Sequence, residues 1–273
     1  MGSEIPRIDF VKKMNEIKNC GFVPALRIDN TGIGFTLETL LGIRENNYTK
    51  GDFIDIGKYN EILFELKSQR YKKIDPRKSK PLINRHLISL VTQAPHGGLS
   101  NSELLAKYGY SDEQGRKRRN LYATISADRF VKSKYESISK MKIRRNRERL
   151  FLVVNNQEVA YVDLDKILGK LENLLIVRAD SELRNCNCSM NHLHKDGFHE
   201  YFHFNTTCIF TGFDKEKFYR SIDEGKIKYD LRMHDVEGEI DGQEGYDTKH
   251  DHGTGFRAKF ENIAGFYSRS EFI

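Results

Sequence analysis

Two carboxylates and a lysine that could act on a phosphate group lie in the stretch DFIDIGKYNEILFELK. The second half of this stretch alternates as a strand does, so Glu65 and Lys67 share one face. The intervening GKYN predicts a turn, and the resulting hairpin returns Asp52 or Asp55 alongside these two residues. Paired carboxylates suit a hard divalent cation, and an adjacent ammonium can stabilise a phosphate under attack. The chemistry that this pattern could support is therefore hydrolysis of a phosphate ester.

The same residues also fit an exposed hairpin whose charged side chains are only solvated. An aspartate followed by an ExK sequence is too short a pattern to exclude this simpler interpretation. The preceding sequence TGIGFTLETLLGIR adds weight to the site, because its apolar residues recur at helical spacing between glycines. Glu38 lies inside this predicted helix and supplies a further carboxylate.

A second group of residues, near the other end of the sequence, has the side chains that read base edges. The segment KIKYDLRMH alternates as a strand and predicts that Asp230, Arg232 and His234 face outward. Arginine can bind guanine O6 and N7 together, histidine can donate to N7, and aspartate can accept from cytosine N4. With the later HDHGTGFR, the candidate base-reading residues are Asp230, Arg232, His250, Asp251, His252 and Arg257. A metal site is the competing interpretation of the HDH sequence.

The chain resembles the MvaI/BcnI restriction endonucleases, relatives of the mismatch-repair nicking enzyme MutH within the PD-(D/E)XK nuclease superfamily. The matching features are Gly-Ile-Gly with a following Leu-Glu, then ENN, Gly-Asp and Glu-Leu-Lys, and finally DLR with HDHGTGFR. They extend from about residue 20 to about residue 260 and keep their order. A chance match to one short motif would not do so.

The resemblance implies a role for each residue of the hairpin. Asp52 takes the position of the first metal ligand, Glu65 that of the second, and Lys67 that of the lysine. Glu38 matches the helix-borne glutamate that MutH-like nucleases add to the site. Asp52 and Glu65 stand 13 positions apart, which is more than in the relatives, so Asp55 competes with Asp52 as a ligand. The implied cofactor is Mg²⁺, and the implied products carry a 5′-phosphate and a 3′-hydroxyl.

Composition is that of an ordinary globular chain with a modest preference for polyanions. The 273 residues are 38% hydrophobic and 31% charged, and the formal net charge is +6 with a pI near 9.0. No apolar run reaches the length of a membrane span, and the charged amino terminus lacks a signal-peptide core. We therefore expect a cytoplasmic protein that does not bind membranes.

A cluster of cysteines and histidines raises the question of a second metal. The sequence NCNCSMNHLHKDGFHEYFHF holds the candidate zinc ligands Cys186, Cys188, His192 and His194. CxC followed by HxH is not a common zinc-finger spacing. A polar insertion loop is the favoured interpretation, with a structural zinc as the alternative.

The sequence as a whole predicts a mixed α/β fold of the PD-(D/E)XK type, a core sheet flanked by helices. We expect a catalytic lobe over residues 1–110 and a DNA-recognition lobe over residues 111–273, which together form one structural unit with a cleft. The run HLISLV, starting at His86, predicts a further strand of the catalytic sheet.

The function implied is that of a type II restriction endonuclease that cleaves duplex DNA at a short G·C-rich site of the CC-N-GG kind. A single encoded active site suggests a monomer, and a cognate DNA methyltransferase is expected in the same restriction-modification system. The nearest alternative is a MutH-like repair enzyme that nicks one strand. A DNA-binding protein without catalysis is less favoured, because the acidic and lysine positions are intact.

Overall fold

The computed structural model describes residues 5–28, 30–44, 51–83, 87–111, 119–132, 140–185, 197–235, 249–251 and 253–273. These residues form a mixed α/β fold, as the sequence predicts. The chain divides into two compact units, and each unit contains its own sheet and helices. Unit 1 comprises residues Met1–Ile88, Lys170–Phe213 and Tyr267–Ile273, and unit 2 comprises Ser89–Gly169 and Asp214–Phe266.

Both units are discontinuous in sequence, whereas the lobes expected from sequence were the continuous stretches 1–110 and 111–273. The chain leaves unit 1 after Ile88, returns at Lys170 and enters unit 1 a third time at Tyr267. These returns are needed because the strand that carries Glu65 pairs with a strand that begins at Leu174. The functional roles of the two lobes stay predictions.

Unit 1 is built on an eight-stranded sheet of the described residues. Its principal strand order is β1-β3-β4-β14-β15-β19, while β2 pairs with β15 and β5 with β4. Its elements are β1 (Arg7–Ile8), α1 (Phe10–Asn19), β2 (Val23–Pro24), α2 (Gly32–Leu41), β3 (Phe53–Asp55), β4 (Ile62–Ile74), β5 (Leu82–Ile83), β14 (Leu174–Asn185), β15 (Phe198–Phe213) and β19 (Tyr267–Phe272).

Each of the two helices of unit 1 has a residue at one end that suits that position. Asp9 caps α1, since its carboxylate accepts a hydrogen bond from the Lys12 backbone N–H at 3.2 Å. Gly42 ends α2 in the left-handed conformation with φ 78°, which a glycine adopts at no steric cost. Both helices contribute to one hydrophobic cluster with β4 and β14, which includes Phe10, Met14, Ile33, Leu37, Leu41, Phe53, Phe64, Leu66, Leu175 and Val177.

Strand β19 supports the hairpin formed by β3 and β4, although it lies at the other end of the strand order. The Glu271 carboxylate accepts a hydrogen bond from the Tyr59 hydroxyl at 2.8 Å and forms an ion pair with Lys58. Tyr59 and Lys58 belong to the tip of the hairpin. This contact therefore joins two elements that are more than 200 residues apart in sequence.

Unit 2 contains two further sheets. One has the order β10-β11-β12-β13-β7, and the other has the order β6-β18-β16-β9-β8 with β17 on β16. The strands are β6 (Ile88–Thr92), β7 (Gly97–Gly98), β8 (Tyr110–Ser111), β9 (Arg119–Ile125), β10 (Val131–Lys132), β11 (Lys140–Asn146), β12 (Arg149–Val154), β13 (Gln157–Asp163), β16 (Ile227–Asp235), β17 (Lys249–Asp251) and β18 (Gly255–Ala258). The helices are α3 (Asn101–Tyr108), α4 (Asp165–Leu168), α5 (Lys215–Asp223) and α6 (Phe260–Ile263), with a 3-10 turn at Ala264–Phe266. A second 3-10 turn, Gly169–Leu171, lies where the chain passes from unit 2 back into unit 1.

The strand predicted from HLISLV exists, but its assignment to the catalytic sheet was wrong. It forms β6, which pairs with β18 instead of β4. The backbones of β6 and β18 approach so closely that a side chain on Gly255 of β18 would collide with β6, since its Cβ would lie 2.2 Å from the Val91 carbonyl oxygen. An apolar run predicts a buried strand without identifying the strand beside it.

Across the residues with described positions, we find no helix with the length and apolar character needed to cross a membrane.

Candidate active site and base-reading face

The β3–β4 hairpin places Asp52 opposite Glu65. The antiparallel register pairs Phe53 with Phe64 and Asp55 with Ile62, and the Asp52 N–H donates to the Phe64 carbonyl at 2.8 Å. The tip of the hairpin turns through Asn60 and Glu61, whose φ values are 37° and 67°. The extra residues between Asp52 and Glu65 are thus absorbed by the turn, and Asp52, which directly precedes β3, stays opposite Glu65 of β4.

Asp52, Glu65 and Lys67 form one charged cluster, which we call the acidic cluster. The Asp52 carboxylate accepts a hydrogen bond from the Leu66 backbone N–H at 2.7 Å. The Lys67 ammonium lies 2.5 Å from Glu65 Oε1, and the two side chains are 23% and 10% exposed. The structure therefore brings together the three residues that the sequence predicts for phosphate chemistry.

The electrostatics of the acidic cluster are unfavourable for a second negative charge. Burial raises the pKa of Asp52, and the neighbouring Glu65 charge raises it further. Lys67, the Leu66 backbone N–H and Lys170 act in the opposite direction on the pKa of Asp52. Two close carboxylates that share a partly buried site would be stabilised by a cation.

Asp55 has a structural role in the hairpin. Its Oδ1 accepts a hydrogen bond from the Phe10 N–H at 2.9 Å, and its Oδ2 accepts one from the Tyr59 N–H at 2.7 Å. Its side chain has no exposure to solvent, since the residue is 0% exposed. Both oxygens of Asp55 are thus occupied in fixing α1 and the turn.

Glu38 lies on α2, half-buried, and its surroundings differ from those of the acidic cluster. Glu38 Oε1 and Ser68 Oγ both lie close to Gly34, because a Cβ placed on that glycine would be 3.8 Å from the first and 3.5 Å from the second. Helix α2 packs on the face of β4 that carries Phe64 and Leu66. Strand alternation puts the acidic cluster on the opposite face of β4. The role of Glu38 in the site stays a prediction.

Two residues near the acidic cluster were not found by sequence reasoning. Tyr267 of β19 is buried, and burial followed by the Glu65 charge raises the pKa of its hydroxyl. Lys170 precedes β14 and lowers the pKa of Asp52 through its charge. Both lie far from the hairpin in sequence and carry no motif that would have pointed to them.

The cysteine and histidine candidates for zinc, Cys186, Cys188, His192 and His194, lie outside the described residues. Within the described ranges, no group of three or more histidine, cysteine, aspartate or glutamate side chains is placed to hold a metal ion.

The acidic cluster offers two carboxylates, which is the number that Mg²⁺ commonly takes from a protein when phosphate and water complete its ligands.

Unit 2 carries the second charged cluster, which we call the arginine pair: Arg232 on β16 and Arg257 on β18, with Asp230 between them. The Nε atoms of both arginines lie 2.7 Å from Asp230 Oδ2. Asp230 Oδ1 accepts a hydrogen bond from the Thr124 hydroxyl at 2.6 Å. One carboxylate therefore holds two guanidinium groups on one face of the sheet.

The prediction that Asp230 and His234 are exposed to solvent was wrong. They share a face with Arg232, as alternation requires, but Asp230 is 1% exposed and His234 is 6% exposed. The two arginines cover Asp230, while His234 Nδ1 lies 3.1 Å from the Tyr122 hydroxyl. Of the three, Arg232 reaches solvent, with a side chain that is 43% exposed.

Arg257 is the more constrained of the two arginines. Its Nη2 donates to the Gly253 carbonyl at 3.3 Å, and its side chain is 24% exposed. Its Nε–H does not point at an acceptor, so the close contact between Arg257 and Asp230 is an ion pair and not a hydrogen bond. Burial lowers the pKa of Arg257, and the Asp230 charge opposes that effect.

The other base-reading candidates fall at the limit of the described chain. The β17 backbone pairs His250 with His234 and Asp251 with Met233, which extends the sheet beside β16. The side chains of His250 and Asp251, and the whole of His252, lie outside the described residues. Their role in base reading stays a prediction.

Comparison with solved structures identifies the fold. A structure described as a complex of restriction endonuclease MvaI with its cognate DNA substrate matches with a TM-score of 0.68 and 23% sequence identity, over 96% of each chain. A structure of restriction endonuclease MvaI in the absence of DNA has a TM-score of 0.47 and 20% identity, over 100% of each chain. A comparison with curated proteins finds no match.

The fold is thus a mixed α/β fold like that of restriction endonuclease MvaI. The sequence pattern of the MvaI/BcnI restriction endonuclease family matches residues 11–267. Because this match spans most of the chain, the protein belongs to the MvaI/BcnI restriction endonuclease family and is a site-specific deoxyribonuclease. Both the resemblance inferred from the motifs and the predicted fold class are confirmed.

Proposed function

We propose that this restriction endonuclease is a type II enzyme that hydrolyses duplex DNA with Mg²⁺ at a short G·C-rich site of the CC-N-GG kind. The observation that carries the proposal is the acidic cluster, in which Asp52, directly before β3, lies opposite Glu65 of β4 and the Lys67 ammonium contacts Glu65. The related MvaI structure, described as a complex with cognate DNA substrate, supports duplex DNA as the ligand.

Asp52 and Glu65 fit a divalent metal ion by their chemistry. Both are carboxylates, and burial together with the Glu65 charge raises the pKa of Asp52, so a cation between them would relieve an existing cost. Asp55 does not compete well, because both of its oxygens accept backbone hydrogen bonds. When bound, Mg²⁺ would supply positive charge that polarises the scissile phosphate and favours ionisation of the attacking water.

The protein's own contribution is orientation and charge. The Leu66 N–H fixes one oxygen of Asp52 and leaves the other available as a ligand. Lys67 is close enough to Glu65 to hold that carboxylate in place, and its ammonium can orient water or stabilise the charge that develops on the phosphate. In-line attack of water on the phosphorus forms a new P–O bond while the P–O3′ bond breaks. The 3′-oxygen leaves and takes up a proton, which would give a 5′-phosphate and a 3′-hydroxyl.

The arginine pair is the proposed reader of G·C pairs. Asp230 accepts a hydrogen bond from Arg232 Nε and forms an ion pair with Arg257, whose Nη2 also donates to Gly253. The terminal nitrogens of Arg232 and the Nη1 of Arg257 are therefore the donors proposed to meet a base. A guanine offers O6 and N7 side by side, which two such donors can bind together. Asp230 is buried under the arginines, so its role in this proposal is to orient them.

Three further features of the proposal follow from the predicted class of enzyme. The enzyme would act as a monomer, because one acidic cluster is found among the described residues. A cognate methyltransferase would protect the host DNA, and both proteins would work in the cytoplasm.

The alternative is a strand-nicking repair endonuclease of the MutH kind, which would use the same acidic cluster. A digest of unmethylated phage DNA with Mg²⁺, with the fragment ends sequenced, separates the two. We expect discrete double-strand fragments from the wild type and a loss of about 10²- to 10³-fold in rate for Lys67→Ala, since one preorganised electrostatic group is removed.

The matched control for Lys67→Ala is Lys73→Ala, which removes another lysine from the same strand. It should cleave at the wild-type rate. Nicks confined to hemimethylated sites would favour the repair enzyme, and intact DNA despite tight binding in a gel shift would contradict both proposals.

A further inference from the structure

The segment that connects the 3-10 turn Gly169–Leu171 to β14 is fixed to the catalytic strand. The Glu65 N–H donates to the Asn173 carbonyl at 3.0 Å, and the Asn173 side-chain amide donates to the Leu63 carbonyl at 3.3 Å. In the parallel pairing that follows, Leu174 lies beside Glu65. The backbone just after Lys170 is therefore held in register with the residue that we propose as a metal ligand.

A second anchor holds the segment from the side of β19. The Tyr267 hydroxyl donates to the Leu171 carbonyl at 2.7 Å, and Leu171 itself is completely buried. Lys170 immediately precedes this anchored residue. The segment is thus held by contacts to β4 and to β19, and its position does not depend on Lys170.

Lys170 and Lys67 differ in their partners. The Lys67 ammonium lies 2.5 Å from Glu65. Lys170 is half-buried and makes no hydrogen bond or ion pair with any residue in the described ranges, although its charge acts on Asp52. Lys170 is thus a cation that directly precedes the segment held against Glu65, and its donors are not used within the described residues.

We propose that Lys170 is a second phosphate-contacting lysine of the active site, which binds the DNA phosphate at or directly next to the scissile bond. This inference rests on the proposed function and adds a residue to it. Lys67 remains engaged with Glu65, while Lys170 approaches the substrate from the β14 side and offsets the negative charge that increases on the phosphate in the transition state. A partly buried charged contact of this kind is stronger than a surface one.

The test compares Lys170→Gln with Lys166→Gln, which removes the same charge four residues earlier in the chain. Lys166 lies 3.6 Å from Asp163 and is 55% exposed, so it serves as a matched surface control. Affinity for the cognate duplex is measured without metal by gel shift. The same measurement is repeated with duplexes in which single phosphates around the cut are replaced by neutral methylphosphonates.

We expect Lys170→Gln to weaken binding of the all-phosphate duplex about tenfold, and to have no effect on the duplex that is neutral at the contacted phosphate. Single-turnover cleavage with saturating enzyme and Mg²⁺ should slow by about tenfold or more. Lys170→Arg should retain part of the affinity and part of the cleavage rate, and Lys166→Gln should behave as the wild type in both measurements. Matching thermal midpoints would exclude a folding defect in Lys170→Gln.

Equal affinities for Lys170→Gln and Lys166→Gln on every duplex would overturn the assignment of Lys170. So would an effect of Lys170→Gln that persists unchanged at all methylphosphonate positions. If the wild type binds the duplex but does not cleave it, the proposed function fails, while the affinity comparison still decides the contact of Lys170.

Discussion

The acidic cluster of unit 1 and the arginine pair of unit 2 use the same kinds of side chain in opposite proportions. In the acidic cluster, the two carboxylates of Asp52 and Glu65 share one ammonium. In the arginine pair, one carboxylate lies between two guanidinium groups. The first arrangement lacks positive charge and the second lacks acceptors, so the first suits a metal ion and the second suits the acceptor-rich edge of a guanine.

The two clusters also differ in how they are oriented. Backbone register aligns the acidic cluster, since Asp52 accepts from the Leu66 N–H across the strand pair. A buried side chain aligns the arginine pair, since Asp230 is fixed by the Thr124 hydroxyl and in turn holds both arginines. The ratio of positive to negative side chains thus determines which ligand each cluster suits. The contact that orients the side chains differs: a backbone N–H holds Asp52, and the buried carboxylate of Asp230 holds the two arginines.

The largest effect should come from removing one carboxylate of the acidic cluster. Glu65→Gln keeps the size of the side chain and removes its charge, so cleavage should fall by about 10²- to 10³-fold while DNA binding persists. Single-turnover cleavage and a gel shift measure the two properties. Glu61→Gln, which changes an exposed glutamate of the same hairpin, is the control. Wild-type cleavage by Glu65→Gln would break the proposed contrast between the clusters.

Removing one member of the arginine pair should act on selectivity. Arg232→Ala or Arg257→Ala should cost about 1–3 kcal/mol in discrimination between the cognate and a substituted base pair. Arg129→Ala removes an exposed arginine of unit 2 outside the pair and should leave the ratio of cognate to random binding unchanged. If either variant of the pair binds cognate and random duplexes in the wild-type ratio, the assignment of base reading to that arginine is wrong.

Removing the shared carboxylate should lower stability and selectivity together. Asp230→Asn leaves two guanidinium groups beside a neutral amide, so the free energy of unfolding should fall by about 1.5–3 kcal/mol. Urea denaturation measures this change, and competition binding measures the loss of preference for the cognate site. A variant that is destabilised but fully selective would show that Asp230 holds the fold without orienting the arginines.

The smallest effect should be a gain in stability at the acidic cluster. Burial and Glu65 raise the pKa of Asp52 in the folded state, so its ionised form costs stability at neutral pH. Without metal, Asp52→Asn should therefore raise the thermal unfolding midpoint by a few degrees. For a protein of this size, a shift of about 2–4 °C corresponds to about 1 kcal/mol in the free energy of unfolding. The gain should shrink as the pH falls through the raised pKa of Asp52, because the wild type then takes up a proton.

Mg²⁺ provides the control for this stability effect. Since a ligand that binds the folded state stabilises it, Mg²⁺ should raise the midpoint of the wild type more than that of Asp52→Asn. Thermal melts with EDTA and with Mg²⁺ at several pH values make the comparison. An Asp52→Asn protein that is less stable than the wild type in EDTA at neutral pH would contradict the proposed electrostatic cost.

Local patterns predicted the hairpin, and contacts from distant segments decided its details. Alternation in EILFELK and the turn residues placed Glu65 and Lys67 correctly, because strand periodicity is a local property. The choice between Asp52 and Asp55 depends on the Phe10 N–H, which is contributed by a helix 45 residues away. No spacing within the hairpin contains that information.

The errors have the same origin. Alternation showed which residues of β16 share a face, but Asp230 is buried by side chains of two strands, one of which is β18. An apolar run identified β6 as a strand without naming β18 as its neighbour. Lys170 was not recognised because its position beside Asp52 depends on the pairing of β14 with β4.

The tie between Glu271 and the hairpin has a consequence for the timing of synthesis. Asp52, Glu65 and Lys67 leave the ribosome early, whereas β19 follows every other described element of the chain. By then the strands that carry Arg232 and Arg257 have already been made. A growing chain therefore holds the proposed cutting residues without β19, the strand that contacts their hairpin, until the proposed base-reading residues have been made. If both proposals hold, the part of the protein that cuts DNA is completed only after the part that selects the site.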